Sequence, residues 1–410
     1  MDKLFKKYLV LLKNRDFLLL NLIIFIGQVA SAFLILALIA SVFAQTGSSL
    51  AVSGIILSFA VPSFLLMAFA GLTADIFDRK TIIVWANFAI SAVVLLILIS
   101  GQVVYASIPL AFFYFAANSF FIPASSAATA QLVKKRELLT ANSIFIFALA
   151  GGVIMGLFIA AIISFFKGPF AVLFVCEVLL VIAAVLSLFL PKLPPRKRQN
   201  LTILKTIADI KEGFAYILTH REAWFFFVMF AVVQGVIAFG ITLAPGFFDR
   251  VIGIPIEKSP ILIFPLIGLG VILGTLLAHL SRFKEGFLTS FGLGILGVGS
   301  LLLGIIIRFS HLGRILILAP VSLYLVAIGL GAVVGLTASR TALQKSVAHN
   351  YQGTVFGANI ILASLFSGIL SPAAATFEAL WGYSNILTWG GAVISISGVV
   401  SYYVAYKWKF

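Results

Sequence analysis

Residues 17–43 read FLLLNLIIFIGQVASAFLILALIASVF, without one charged side chain. A helix rises about 1.5 Å per residue, and a bilayer core of ~30 Å takes roughly 20 apolar residues to cross. This run is long enough, and it is not alone. Runs of the same kind cover 51–72, 82–100, 103–130, 141–165, 169–190, 222–248, 260–281, 287–307, 315–339, 353–379 and 385–406. The 410-residue chain is 62% hydrophobic and 10% charged, with a mean hydropathy of +1.18. A water-soluble protein of this size has no interior large enough to hide that surface. Lipid offers the backbone no hydrogen bonds, so the runs must be helices that satisfy their own N–H and C=O groups. The sequence therefore predicts an all-α membrane protein of about twelve transmembrane helices.

The formal net charge is +15, and its distribution decides its meaning. With these spans, 23 of the 28 Lys and Arg fall on one side of the membrane. The other side receives Lys167, Arg250, Lys258, Arg308 and Arg314. The positive-inside rule then places both termini in the cytoplasm of a multi-pass protein of the cell (inner) membrane. The basic excess is a topology signal with a secondary attraction for anionic lipid headgroups, not the footprint of a nucleic-acid binder. Lys3, Lys6, Lys7, Lys13 and Arg15 ahead of an apolar run look superficially like a signal peptide. The run exceeds an h-region of roughly 7–15 residues, so helix 1 is expected to be retained. Cys176 is the single cysteine and excludes an internal disulfide. His220, His279, His311 and His349 are too dispersed for a metal site on spacing grounds. A Gly-x-x-x-x-Gly-Lys-Ser/Thr phosphate loop is absent from the sequence. Neither a cofactor nor enzymatic chemistry is expected.

Six spans precede the longest polar stretch, 191–221, and six follow it. The division expected is an N-terminal half (1–190), a cytoplasmic linker (191–221) and a C-terminal half (222–410). Leu201, Leu204, Ile207, Ile210, Phe214, Ile217 and Leu218 recur at helical spacing within the linker, which predicts an amphipathic helix on the inner leaflet. A weak repeat relates the halves. Thr129-Ala130-Gln131 then Ala141-Asn142-Ser143-Ile144 is matched by Thr341-Ala342-Leu343-Gln344 then Ala358-Asn359-Ile360-Ile361. Two such six-helix halves are one of the known transporter architectures. Gly152/Gly156, Gly270/Gly274 and Gly331/Gly335 place small residues four apart, where neighbouring backbones can approach closely. Pro62, Pro123, Pro245, Pro265, Pro320 and Pro372 lie inside spans, where proline removes a backbone donor.

The loop after helix 2 reads Gly71-Leu72-Thr73-Ala74-Asp75-Ile76-Phe77-Asp78-Arg79-Lys80. Asp75 precedes Arg79 by four residues, within reach across one helical turn. Here the chain resembles the major facilitator superfamily, whose signature between helices 2 and 3 has the form Gly-x-x-Ala-Asp-x-x-x-Arg-Lys. Helix count, topology, central loop and motif position agree along the whole chain. The resemblance implies that Gly71, Asp75, Arg79 and Lys80 form a cytoplasmic latch that stabilises the outward-open state. Ile76 departs from the basic residue often found there. The second half holds only a degenerate copy, Ala278-His279-Leu280-Ser281-Arg282. Asn14-Arg15-Asp16-Phe17 before helix 1, Asp78-Arg79-Lys80 in the loop and Phe121-Ile122-Pro123-Ala124 in helix 4 carry a finer resemblance to bacterial enterobactin and macrolide exporters. Helix 5, Gly151-Gly152-Val153-Ile154-Met155-Gly156, lacks the Gly-Pro pair common in proton-coupled exporters.

Charges inside the bilayer are expensive and mark function by default. Glu177, near the middle of helix 6, is the carboxylate placed deepest and is the candidate for proton coupling; a hydrogen-bonded structural carboxyl is the competing reading. Glu222 and Glu378 fall near span ends and are expected to reach the interface. Helices 1, 4, 7 and 10 line the central cavity in the superfamily, so the resemblance makes Asn21, Gln28, Tyr114, Asn118, Gln234 and Tyr324, with Asn359 of helix 11, candidate substrate contacts. Interhelical hydrogen bonding is the alternative for each. The expected function is secondary active transport by alternating access: proton-coupled export of an apolar or amphiphilic small molecule by a monomer. Lysophospholipid or other lipid flipping is the runner-up, and a non-transporting membrane scaffold or sensor is a third class.

Overall fold

A computed structural model describes residues 11, 13–101, 103–134, 137–194, 215–256, 258–281, 283–309, 314–347 and 352–408. Among these residues the secondary structure is entirely helical. The helices are α1 (Arg15–Thr46), α2 (Ser49–Ile76), α3 (Arg79–Ile99) and α4 (Val104–Leu132). One continuous helical stretch, Leu138–Leu188, turns at Gly168 (φ 77°) and so contains α5 (138–167) and α6 (169–188). Then come α7 (Arg221–Gly246), which runs into a π turn (Phe247–Ile252), α8 (Pro260–Leu280), α9 (Glu285–Phe309) and α10 (Arg314–Ser346). Gln352–Lys407 turns at Gly382 (φ 74°) and contains α11 (352–381) and α12 (383–407). The helices extend past the apolar runs at most ends, because hydropathy stops at the bilayer edge while the backbone hydrogen-bond ladder does not. Gly168 and Gly382 kink the chain between successive helices, since only glycine adopts a positive φ without steric cost. Most of the amphipathic stretch expected within 191–221, from Leu201 to Phe214, lies outside the described residues.

By its contacts the chain divides into two units. One comprises Met1–Gln45 with Leu65–Ile207, the other Thr46–Phe64 with Ala208–Phe410. The division passes through α2, between Phe64 and Leu65.

In the first unit, Leu20, Ile23 and Ile24 of α1 pack with Ala74, Ile83, Phe121, Ala124 and Ala148. Small residues set the helix spacing. A Cβ at Gly152 would lie 2.8 Å from both Gln28 Cβ and Phe25 O, and one at Gly156 would lie 2.8 Å from Ala32 Cβ and Val29 O. The pair thus seats α5 against α1 with almost no gap, as close small-residue packing in lipid requires. The second unit repeats the device. Gly270 and Gly274 lie against Val326 and Leu330 of α10, and Gly331 lies against Gly292 of α9. Its core gathers Leu243, Phe247, Phe248, Val321, Leu325 and Ile386. Outward-facing side chains are large and apolar, among them Phe147, Phe166, Leu323 and Val399. That is the inverse of a soluble surface and suits lipid as solvent.

Candidate functional site: polar contacts inside the two units

Hydroxyl and amide groups are buried on the inner faces of the first unit. Gln28 and Ser31 stand one turn apart on α1, both buried. The Ser31 hydroxyl and the Tyr114 hydroxyl of α4 are 2.6 Å apart, and Tyr114 is 1% exposed. The Cys176 thiol donates to Ala30 O at 3.2 Å, tying α6 to α1. The adjacent Glu177 is also buried, and its Oε1 accepts from the Ser91 hydroxyl of α3 at 2.7 Å. Glu177 Oε2 has no hydrogen-bond partner among the described residues. Asn21 donates back to Phe17 O of its own helix at 2.8 Å, and its buried Oδ1 also has no partner among the described residues. Asn118 is half-buried.

The second unit places its sequence candidates differently. Asn359 donates to Phe227 O at 2.9 Å, which pins α11 to the α7 backbone. That contact uses the amide for packing. Gln234 is half-buried on α7, and Tyr324 packs against the apolar core on α10. A pairing that sequence spacing does not show is Thr242 with Ser371, at 2.6 Å between α7 and α11. Glu378 is 6% exposed and paired with Arg250 at 3.2 Å. The two residues are 128 positions apart, so only the tertiary fold could join them.

At the loop between α2 and α3, Gly71 and Lys80 are half-buried, while the Asp75 side chain lies outside the described residues. The Asp78 carboxylate caps α3. It accepts from Lys80 N at 2.9 Å and from Leu193 N, beyond the end of α6, at 3.1 Å. Arg79 is 3% exposed and donates through Nη1 to Pro194 O at 2.6 Å. Gln131, at the end of α4, donates to the same carbonyl at 2.9 Å. The loop thus clasps the segment that leaves α6. Asp78 is the residue that sequence reasoning missed, although an Asp directly before a helix start is a capping signal. The second unit has a related contact: Glu285 at the start of α9 meets Lys345 at the end of α10 at 2.5 Å. Among the described residues no group of three or more His, Cys, Asp or Glu could hold a metal ion.

Residues 19–404 match the sequence model of the Major Facilitator Superfamily. The chain belongs to that superfamily. The nucleoside transporter NupG is similar in fold, with TM-score 0.73 and 14% identity over 95% of this chain and 99% of that one. The POT family transporter PepTSo gives TM-score 0.75 and 10% identity over 97% and 99%. A peptide transporter POT, in complex with sulfate, gives 0.73 and 13% over 96% and 94%. At such identities the likeness speaks for the fold alone. A search of curated protein sequences gives no match. This superfamily member is therefore a multi-pass membrane protein with a transporter fold.

Proposed function

We propose that the protein exports an apolar or amphiphilic small molecule by alternating access, with uptake of protons as the driving reaction, and that Glu177 carries the proton. One observation supports the reading above others. Among the described residues the buried carboxylates are Glu177 and Glu378. Glu378 has a cationic partner, whereas Glu177 is held by a serine hydroxyl at Oε1 and has no partner among the described residues at Oε2. A carboxyl group so placed can bind and release a proton without breaking an ion pair. Gln28, Ser31 and Tyr114 make this region polar without charge, which suits a weakly polar cargo. Gly71, Asp75, Arg79 and Lys80 serve this reading as the cytoplasmic latch.

Flux in proteoliposomes, with and without a pH gradient, tests it. Export should accumulate substrate only with the gradient, and Glu177→Gln should retain exchange while losing accumulation. Full uphill transport by Glu177→Gln would make Glu177 structural.

Lipid flipping is the second reading. It is favoured by an apolar groove of about 480 Å³ between α9 and α10, lined by Phe291, Val298, Leu302, Pro320 and Leu323 with Tyr324. Flux that ignores the pH gradient, together with movement of a labelled lysophospholipid, would support this reading instead.

A further inference from the structure

Arg250 is one of the five basic residues that the topology reading leaves on the face opposite the basic loops, and the fold gives it partners from two distant parts of the chain. It sits in the π turn Phe247–Ile252 that ends α7. Such turns insert an extra residue and often mark functional positions. Its guanidinium donates through Nη1 to the buried Glu378 carboxylate of α11 at 3.2 Å. Through Nη2 it donates to Gly47 O, in the hairpin joining α1 and α2. Gly47 has φ 58°, which aims that carbonyl in a way a β-branched residue would resist. Next to it, the hydroxyls of Ser49 and Tyr383 are 3.3 Å apart, both buried. Further along α2, a Cβ at Gly368 of α11 would lie 3.5 Å from Ala60 Cβ and 3.7 Å from Leu57 Cδ2.

All these contacts fall in the unit that contains Thr46–Phe64 and Ala208–Phe410. The rest of α2, from Leu65, belongs to the other unit. Pro62 lies two residues before that change of partner. Its ring removes the backbone donor that would bond Ser58 O and makes the helix bend cheaply there.

We infer that Arg250 is the centre of an outer latch, which holds the Gly47 turn and the start of α2 on α7 and α11 and must let go when that face of the transporter opens. Arginine suits the task because its planar fork serves a carboxylate and a carbonyl at once. Glu378 keeps the fork aimed, and Gly47 O is the contact that breaks. The outer part of α2 swings about Pro62 when it does. The inference rests on the alternating-access reading but on no substrate and no coupling ion.

The test is a distance measurement on the full chain. Cys176→Ser removes the one native thiol, and spin labels are placed through cysteines at Ser48 and Lys258. In the parent, the hairpin and the α7–α8 loop should show mainly one short distance. Arg250→Met should raise the ratio of long to short populations about tenfold or more, the scale of one hydrogen bond from a charged donor lost. Arg250→Lys should give an intermediate ratio, because lysine keeps Glu378 paired but loses the fork. Arg308→Gln, another basic residue assigned to that face, should leave the distribution unchanged. A single Arg250 variant orphans a buried carboxylate and can lose stability for that reason alone. The double variant Arg250→Met, Glu378→Gln removes that charge and should still populate the long distance. A double variant that elutes and melts like the parent and keeps the parental distances would overturn the latch. Failure of proton-driven flux in the parent would leave these distances untouched, so the two readings fail separately.

Discussion

Arg79 has a partner in the structure that the motif does not show. The sequence placed it opposite Asp75, one helical turn away. In the fold its guanidinium is buried and spans 115 positions to reach Pro194 O. Hydrogen bonds from a charged donor contribute about 1.5–3 kcal/mol, so Arg79→Ala should lower the thermal midpoint of detergent-purified protein clearly. Asp78→Ala removes a cap worth about 0.5–2 kcal/mol and a bond to Leu193 N, and should act in the same direction. Asp75→Asn should behave differently. It should leave the midpoint near that of the parent and slow transport strongly, because a latch group biases populations without carrying the fold. Equal melting of all three variants, or wild-type transport by Asp75→Asn, would detach the loop from these roles.

Among the helices, glycine position separates packing from mere composition. Gly156 of α5 has no room for a side chain against Val29 and Ala32, whereas Gly27 of α1 has open space around its missing Cβ. Gly156→Val should destabilise by at least the ~1–3 kcal/mol typical of overpacking. Gly27→Ala should be neutral or stabilising by about 0.5–1 kcal/mol, because alanine loses less backbone entropy in a helix. Thermal unfolding in detergent measures both, and the same sign for the two would refute the close α1–α5 contact. The sequence exposed Gly152/Gly156 as a pair through its spacing. It could not show which helix the pair meets, because an apolar neighbour in lipid leaves no distinguishing pattern on its partner.

The whole molecule makes one prediction that charge alone motivates. In a Cys176→Ser background, cysteines at Ser48 and Lys258 should react with an impermeant thiol reagent in intact cells, and one at Gln199 should not. Labelling at Gln199 would reverse the orientation derived from the 23 basic residues on one side. The sequence makes a prediction of orientation possible because insertion itself reads loop charge, a local property. The arrangement of units is less legible there. The change of unit within α2 between Phe64 and Leu65 has only Pro62 as a sequence signal, and Pro62 is one of several intramembrane prolines that the sequence offers without distinction.

The sequence by itself determined the solvent, the helices and the family. Each follows from runs of adjacent residues: apolar stretches long enough to cross lipid, basic loops between them, and one contiguous motif after helix 2. What only the tertiary structure decided is the pairing of polar groups. Glu177 with Ser91, Glu378 with Arg250, Asn359 with Phe227 O and Asp78 with Leu193 N each join residues 86 to 132 positions apart. In a soluble protein a buried polar group is flagged by an apolar face interrupted at a helical period. Here nearly every face is apolar, so the period carries little information, and a polar side chain declares its partner only when packed helices leave it a single group within hydrogen-bond reach.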